Sequence, residues 1–178
     1  MIIIRATEQH WAALSLIAKD TFVDTFGHLY AAKDLEAHIQ NKYNQAVMVH
    51  EINTEHVYLV CEDDDKAGEA PFGFCQLKPD SRSELMPEDE YASPCWEIHR
   101  FYIRKEKQGV RAGAKLMEFA MERIKEAGVK SIWLSVWSEN YRAQKFYEKF
   151  GIKHSGKTFT YWVGNHADLE FLYVGKLD

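Results

Sequence analysis

The 178 residues, 46% hydrophobic and 28% charged, have the size and composition of one globular domain. Lys and Arg total 22 against 27 Asp and Glu, a formal charge of −5 with an isoelectric point near 5.9; that argues against the basic face a nucleic-acid or anionic-membrane binder needs. No apolar run approaches the ~18 residues of a membrane span and no signal-peptide pattern opens the chain. Cys61, Cys75 and Cys95 are odd in number and lack metal-ligand spacing, so no metal site is expected and a cytoplasmic location fits.

Met1 to Arg5 reads as a first strand. Trp11, Leu14 and Ile17 recur at helical spacing, an aromatic stretch follows through Phe22, Phe26 and Leu29, and Leu35 and Ile39 mark a short helix opening near Asp34. A further helical turn is expected from Ala46 to Ile52. His56 to Cys61 and Phe72 to Lys78 are β-branched and aromatic runs around a polar stretch, Asp63 to Gly68, which together read as an antiparallel hairpin. Asp80 to Pro94 is acidic, poor in apolar residues and holds two of the four prolines, so an exposed loop is expected there.

Trp96 to Ile103 reads as a strand, followed by a glycine-containing turn. A helix then carries Leu116, Phe119, Ala120, Ile124 and Ala127 on one face and ends before Gly128. Ser131 to Val136 is apolar on both faces, as a central strand should be. Strand, helix and strand with this crossover length make a parallel pair. A second helix from about Tyr141 to Lys149 and two strands, Ile152 to Val163 and Leu169 to Leu177, close the chain around a turn at Gly164-Asn165-His166. The expected fold class is α/β with an α+β flavour: a mixed, mostly antiparallel sheet with one parallel step and flanking helices.

Two segments carry chemistry. Gln108-Gly109-Val110-Arg111-Ala112-Gly113-Ala114 lies between a strand and a helix, where small residues and unpaired helix-start N–H groups suit an anion. It fits neither a Walker A nor a dinucleotide-binding pattern, and read alone it is equally a tight βα connection that binds nothing. The other segment runs from Asn140 to Gly151. Asn140 is a good N-cap, and Ala143, Phe146, Tyr147 and Phe150 share one helical face. Phe146 and Phe150 read as core. Tyr147 differs, because a buried phenol needs a partner and, facing a cleft, can release a proton.

In this order and spacing the segments resemble the GCN5-related N-acetyltransferases. That family carries a Q/R-x-x-G-x-G/A turn, matched at Gln108 and Gly113 with Arg111 standing where glycine is usual; the arginine is expected to take an ordinary right-handed conformation as the turn runs into the helix, its guanidinium reaching a CoA phosphate or pointing into solvent. Its N-x-x-A-x-x-F-Y-x-x-x-G-F helix is matched at Asn140, Ala143, Phe146, Tyr147 and Gly151, with Ile152 for Phe. Thr25 to Tyr30 with Asp34-Leu35, and the tail from Ser155 through Asp168, look like the PaiA-type spermidine/spermine acetyltransferases.

The resemblance implies a single acetyltransferase domain over 1–178 with acetyl-CoA as co-substrate. Phe101, Tyr102 and Ile103 would contact the thioester and pantetheine, Gln108 to Gly113 would cradle the pyrophosphate, and Ala114 would begin the facing helix. Asn140 would bond the pantetheine, Lys149 a phosphate, and Tyr147 would protonate the departing thiolate.

An alkyl ammonium, with a pKa near ~10.4, must also lose a proton before it attacks. Glu97 and His99 are the candidate bases, two apart on one strand and so on one face; the alternative is that Glu97 pairs with Arg100 or Arg104. The implied partner is a small-molecule amine, with a polyamine first. A protein N-terminus, a lysine, an aminoglycoside or a non-catalytic acyl-CoA-binding role are the alternatives, and a homodimer is compatible. Acidic residues Asp63 to Asp65, Glu84, Glu88, Asp89 and Glu90 suit a cationic acceptor or are merely solvated.

Overall fold

The computed structural model describes residues 1–65, 67–87 and 91–177. In chain order the elements are β1 (Ile2–Arg5), α1 (Trp11–Phe26), α2 (Ala32–Lys42), α3 (Gln45–Thr54), β2 (His56–Cys61), β3 (Gly73–Lys78), β4 (Cys95–Ile103), α4 (Ala112–Glu126), β5 (Ser131–Trp137), α5 (Tyr141–Glu148), β6 (Lys153–Val163) and β7 (His166–Lys176). The strands hydrogen-bond in the order β1-β2-β3-β4-β5-β7-β6. The β4–β5 pair is parallel, whereas β1–β2, β2–β3, β5–β7 and β6–β7 are antiparallel. The expected mixed α/β class is the observed one. Met1–Leu77 with Arg100–Ala120 form one compact unit, and Lys78–His99 with Met121–Asp178 a second.

In the first unit, α1 buries Leu14 and Ile17 of the stripe read from the sequence, together with Ala18 and Phe22, while Trp11 is half-buried. Phe22 packs against Phe26 at 5.2 Å and stacks on His38 of α2 at 4.6 Å. Asn44 caps α3 by accepting the Val47 N–H at 3.0 Å. Beneath α3 lies a buried polar group. Arg100 Nη1 donates to Glu51 Oε2 at 2.5 Å and to Gln76 Oε1 at 2.8 Å, and Gln76 Nε2 donates to Glu51 and Glu55. The Arg100 guanidinium also lies over the Tyr43 ring at 5.5 Å. Burial, then Lys42 and Arg100, hold the His38 pKa down to about 4.

In the second unit, Ile132, Leu134 and Val136 of β5 are buried, as a central strand requires. The segment expected as a wholly exposed loop is not one. Met86 and Tyr91 join Cys95, Leu172 and Val174 in a core cluster. Arg82 fastens the segment by donating to the Tyr91 carbonyl at 2.6 Å and the Pro87 carbonyl at 2.7 Å. Its low apolar content concealed that two large side chains suffice to anchor it. The acidic residues Glu88, Asp89 and Glu90 lie outside the described residues. β7 begins three residues earlier than expected, at His166, because Val163 pairs with His166 across a two-residue turn whose Gly164 takes φ 57.

Candidate active site

Phe101 and Tyr102 are half-buried and Ile103 is buried, with Tyr102 stacked on Phe74 at 5.7 Å. A Cβ on Gly73 would meet Ile103 Cδ1 at 2.3 Å, so any larger residue there would displace the Ile103 side chain. Gln108 Nε2 donates to the Ile103 carbonyl at 2.8 Å, tying the turn to the strand it leaves. Gly109 has φ 88 and Arg111 has φ 64.

The ordinary expectation for an arginine at this position is a right-handed conformation. The structure corrects it: Arg111 is left-handed, as a glycine would be. Its carbonyl accepts the Lys115 N–H at 3.0 Å, which makes it the residue that launches α4. Cβ crowding in this region costs a non-glycine residue ~1–2 kcal/mol. Val110 is 67% exposed and Ala112 is buried. The N–H groups of Ala112, Gly113 and Ala114, in the first turn of α4, have no intrahelical acceptor to reach and suit an anion.

In the second unit, Glu97 is half-buried and pairs in register with Trp133. Ser81 Oγ donates to Glu97 Oε2 at 2.9 Å, and Trp133 Nε1 donates to the Ser81 carbonyl at 2.9 Å. His99, also half-buried, shares the Glu97 face by strand alternation. The alternative partners for Glu97 are engaged elsewhere: Arg100 pairs with Glu51, and Arg104 with Asp20 at 2.9 Å.

Asn140 Oδ1 accepts the Ala143 N–H at 3.1 Å and so caps α5. The core reading of this helix needs revision. Tyr147 is buried at 8% exposure, whereas Ala143, Phe146 and Phe150 are only half-buried. The Phe146 ring stands edge-on to Tyr147 at 5.5 Å. Gly151, at φ 78, lets the chain turn so that the Ile152 N–H reaches the Tyr147 carbonyl at 3.2 Å, which ends the helix. Lys149 is exposed at the same end.

Sequence reasoning missed Ser81, which sits in the segment read as an exposed loop. It also missed the polar stripe His166, Asp168 and Glu170 on β7. Asp168 and Glu170 are buried, and His166 Nε2 lies 3.2 Å from Asp168 Oδ1. The period-two spacing of those three residues was the available signal.

Residues 11–152 match the Acetyltransferase (GNAT) family. The chain belongs to this family. It is thus an N-acetyltransferase whose acetyl donor is acetyl-CoA. An uncharacterized N-acetyltransferase of Lactobacillus delbrueckii subsp. lactis is 27% identical over 172 residues, which is 96% of this chain and 94% of that protein. Another, from Mycobacterium tuberculosis, is 33% identical over 81 residues, 46% of this chain and 51% of its own.

Among solved structures, the PaiA N-acetyltransferase of Thermoplasma acidophilum in complex with coenzyme A has a TM-score of 0.73 at 20% identity, covering 99% of this chain and 100% of that one. Arabidopsis thaliana NAA60 with a bisubstrate analogue has a TM-score of 0.74 at 14% identity, covering 99% and 98%. These likenesses establish the fold. No helix among the described residues is long and apolar enough to cross a membrane.

Proposed function

We propose that the chain transfers the acetyl group of acetyl-CoA to a primary amine by direct attack, and that the acceptor is a polyamine such as spermidine or spermine. In this reading one domain spanning 1–178 carries the activity. Phe101, Tyr102, Ile103, Asn140 and the Gln108-to-Ala114 turn bind the donor, and Lys149 reaches a phosphate. Glu97 or His99, directly or through a water, takes a proton from the acceptor ammonium. The freed amine attacks the thioester carbonyl and forms the C–N bond, the C–S bond breaks, Tyr147 gives its proton to the departing thiolate, and the proton shed by the acylated nitrogen returns through water to the Tyr147 phenolate.

The observation that carries the reading is the burial of Tyr147 on a helix whose neighbouring aromatics stay half-exposed. A helix face built only for packing would bury Phe146 and Phe150 first, since the phenol is the side chain that is costly to dehydrate. The polyamine acceptor is supported by the PaiA-like segments, by the likeness in fold to a PaiA enzyme and by the net charge of −5. Free, buried Cys61, Cys75 and Cys95 support a reducing cytoplasm, and the fold is compatible with a homodimer.

The test is thiol release from acetyl-CoA with a panel of amines. Spermidine and spermine are expected to turn over best. Preference for an N-terminal peptide, a lysine peptide or an aminoglycoside moves the acceptor class. Donor binding without turnover of any amine makes the chain an acyl-CoA-binding module instead.

A further inference from the structure

The sheet face that carries Glu97 continues across β5 onto β7. Glu97 pairs in register with Trp133, Ser135 with Leu172, and Trp137 with Glu170. Paired residues point the same way and alternate residues share a face. Glu97, Trp133, Ser135, Trp137 and Glu170 therefore lie on one face within the second unit.

Glu170 is only 9% exposed. The groups that interact with its carboxylate are the Ser135 hydroxyl, by a hydrogen bond, and the Asp168 carboxylate on its own strand. Burial, then Asp168, push its pKa up to about 7. Trp137 on β5 and Phe159 on β6 flank it in register. Among the described residues no lysine or arginine acts on its carboxylate. A carboxylate withdrawn this far from water, beside a second acidic group and between aromatic rings, is costly until a cation reaches it. An alkylammonium matches on both counts, pairing with the carboxylate and resting against the ring faces.

We propose that Glu170 binds the distal ammonium of the polyamine acceptor and so sets the preferred acceptor length. The assignment rests on the acceptor reading above, with the reacting amine at Glu97 or His99. Trp133 and Trp137 are four residues apart, about 13 Å at the usual strand rise, and two strand spacings add about 10 Å crosswise, so Glu97 and Glu170 stand about 16 Å apart. A saturated chain advances about 1.2 Å per bond. The terminal nitrogens of spermine, about thirteen bonds apart, span about 16 Å, and those of 1,4-diaminobutane only about 6 Å.

The experiment measures KM and kcat for butylamine, 1,4-diaminobutane, spermidine and spermine with the wild type and with Glu170→Gln. In the wild type, kcat/KM is expected to rise along the series to spermine. In the variant, KM for spermine is expected to rise about tenfold with kcat unchanged, while butylamine and 1,4-diaminobutane keep their values. A flat wild-type series overturns the assignment without any variant, as does a Glu170→Gln effect of equal size at every length or absent for spermine. Failure of the wild type to acetylate any member of the series overturns the acceptor reading itself, and this assignment with it. Turnover of the series without length dependence overturns only the assignment.

Discussion

Ser81 Oγ donates a 2.9 Å hydrogen bond to Glu97 Oε2, and its backbone carbonyl is held at 2.9 Å by the Trp133 indole. One side chain of a long loop thus orients a carboxylate on β4, and the tryptophan beside that carboxylate in register orients the loop. A carboxylate oriented by one hydrogen bond from an anchored loop suits a group that must accept a proton repeatedly from one direction.

Activity is expected to rise with pH through a step belonging to the free enzyme, and either Glu97→Gln or His99→Gln should abolish that step. Profiles of kcat/KM against pH for both variants decide between them. If neither profile changes, the proton leaves through ordered water with no single owner.

Tyr147→Phe is expected to lower turnover by roughly ten- to a thousandfold while acetyl-CoA affinity stays within about twofold, because only the proton donor is lost. Steady-state rates and calorimetric donor binding test this. Wild-type turnover in the variant would make Tyr147 a packing residue.

Arg111→Gly should raise stability by about 1 kcal/mol, since a left-handed backbone penalises arginine and not glycine. The backbone of the turn is kept, so donor affinity should fall only by the worth of one exposed charge near phosphate, about 0.5–1 kcal/mol at low salt. Thermal melts and donor titrations at two salt concentrations measure both terms. Tighter binding by the glycine variant would show that the arginine hinders the donor.

Arg100→Met is expected to cost about 3–5 kcal/mol, because it leaves Glu51 buried without its cation. Urea unfolding, with Glu51→Gln completing a double-mutant cycle, should give a coupling well above 1 kcal/mol. Independent effects of the two substitutions would mean that the pair is not the keystone of this polar group.

Glu170 gives a pH signature of stability as well. Its folded pKa, pushed up to about 7 mainly by burial, lies above the ~4.3 of an unfolded glutamate. Between those values the folded state holds more protons, so this contribution is full below about pH 4 and lost as pH rises through 7. Glu170→Gln should remove the loss, so its melting temperature relative to wild type should climb from pH 5 to pH 8. The difference amounts to the order of 1–3 kcal/mol. A constant offset across that range would contradict the buried, proton-holding state.

Local patterns in the sequence were sufficient for most of the elements and for the family. The stripe of Leu14 and Ile17, the apolar run of β5 and the Asn140 cap each depend on neighbours within a few residues, and those neighbours are printed in order along the chain. The same holds for the motif residues from Gln108 to Ala114 and from Asn140 to Gly151, which sufficed to indicate the family.

What depended on residues distant in sequence became visible only in the folded chain. Arg111 is left-handed in a turn that Gln108 ties back to Ile103 and whose Arg111 carbonyl accepts the Lys115 N–H of α4. Met86 and Tyr91 are buried because β7, eighty residues on, supplies Leu172 and Val174. Glu170 shares a face with Glu97 only through the registers of β4, β5 and β7. Strand register is set by which side chains bury together across the sheet, and a shift of one residue would turn Glu170 to the opposite face.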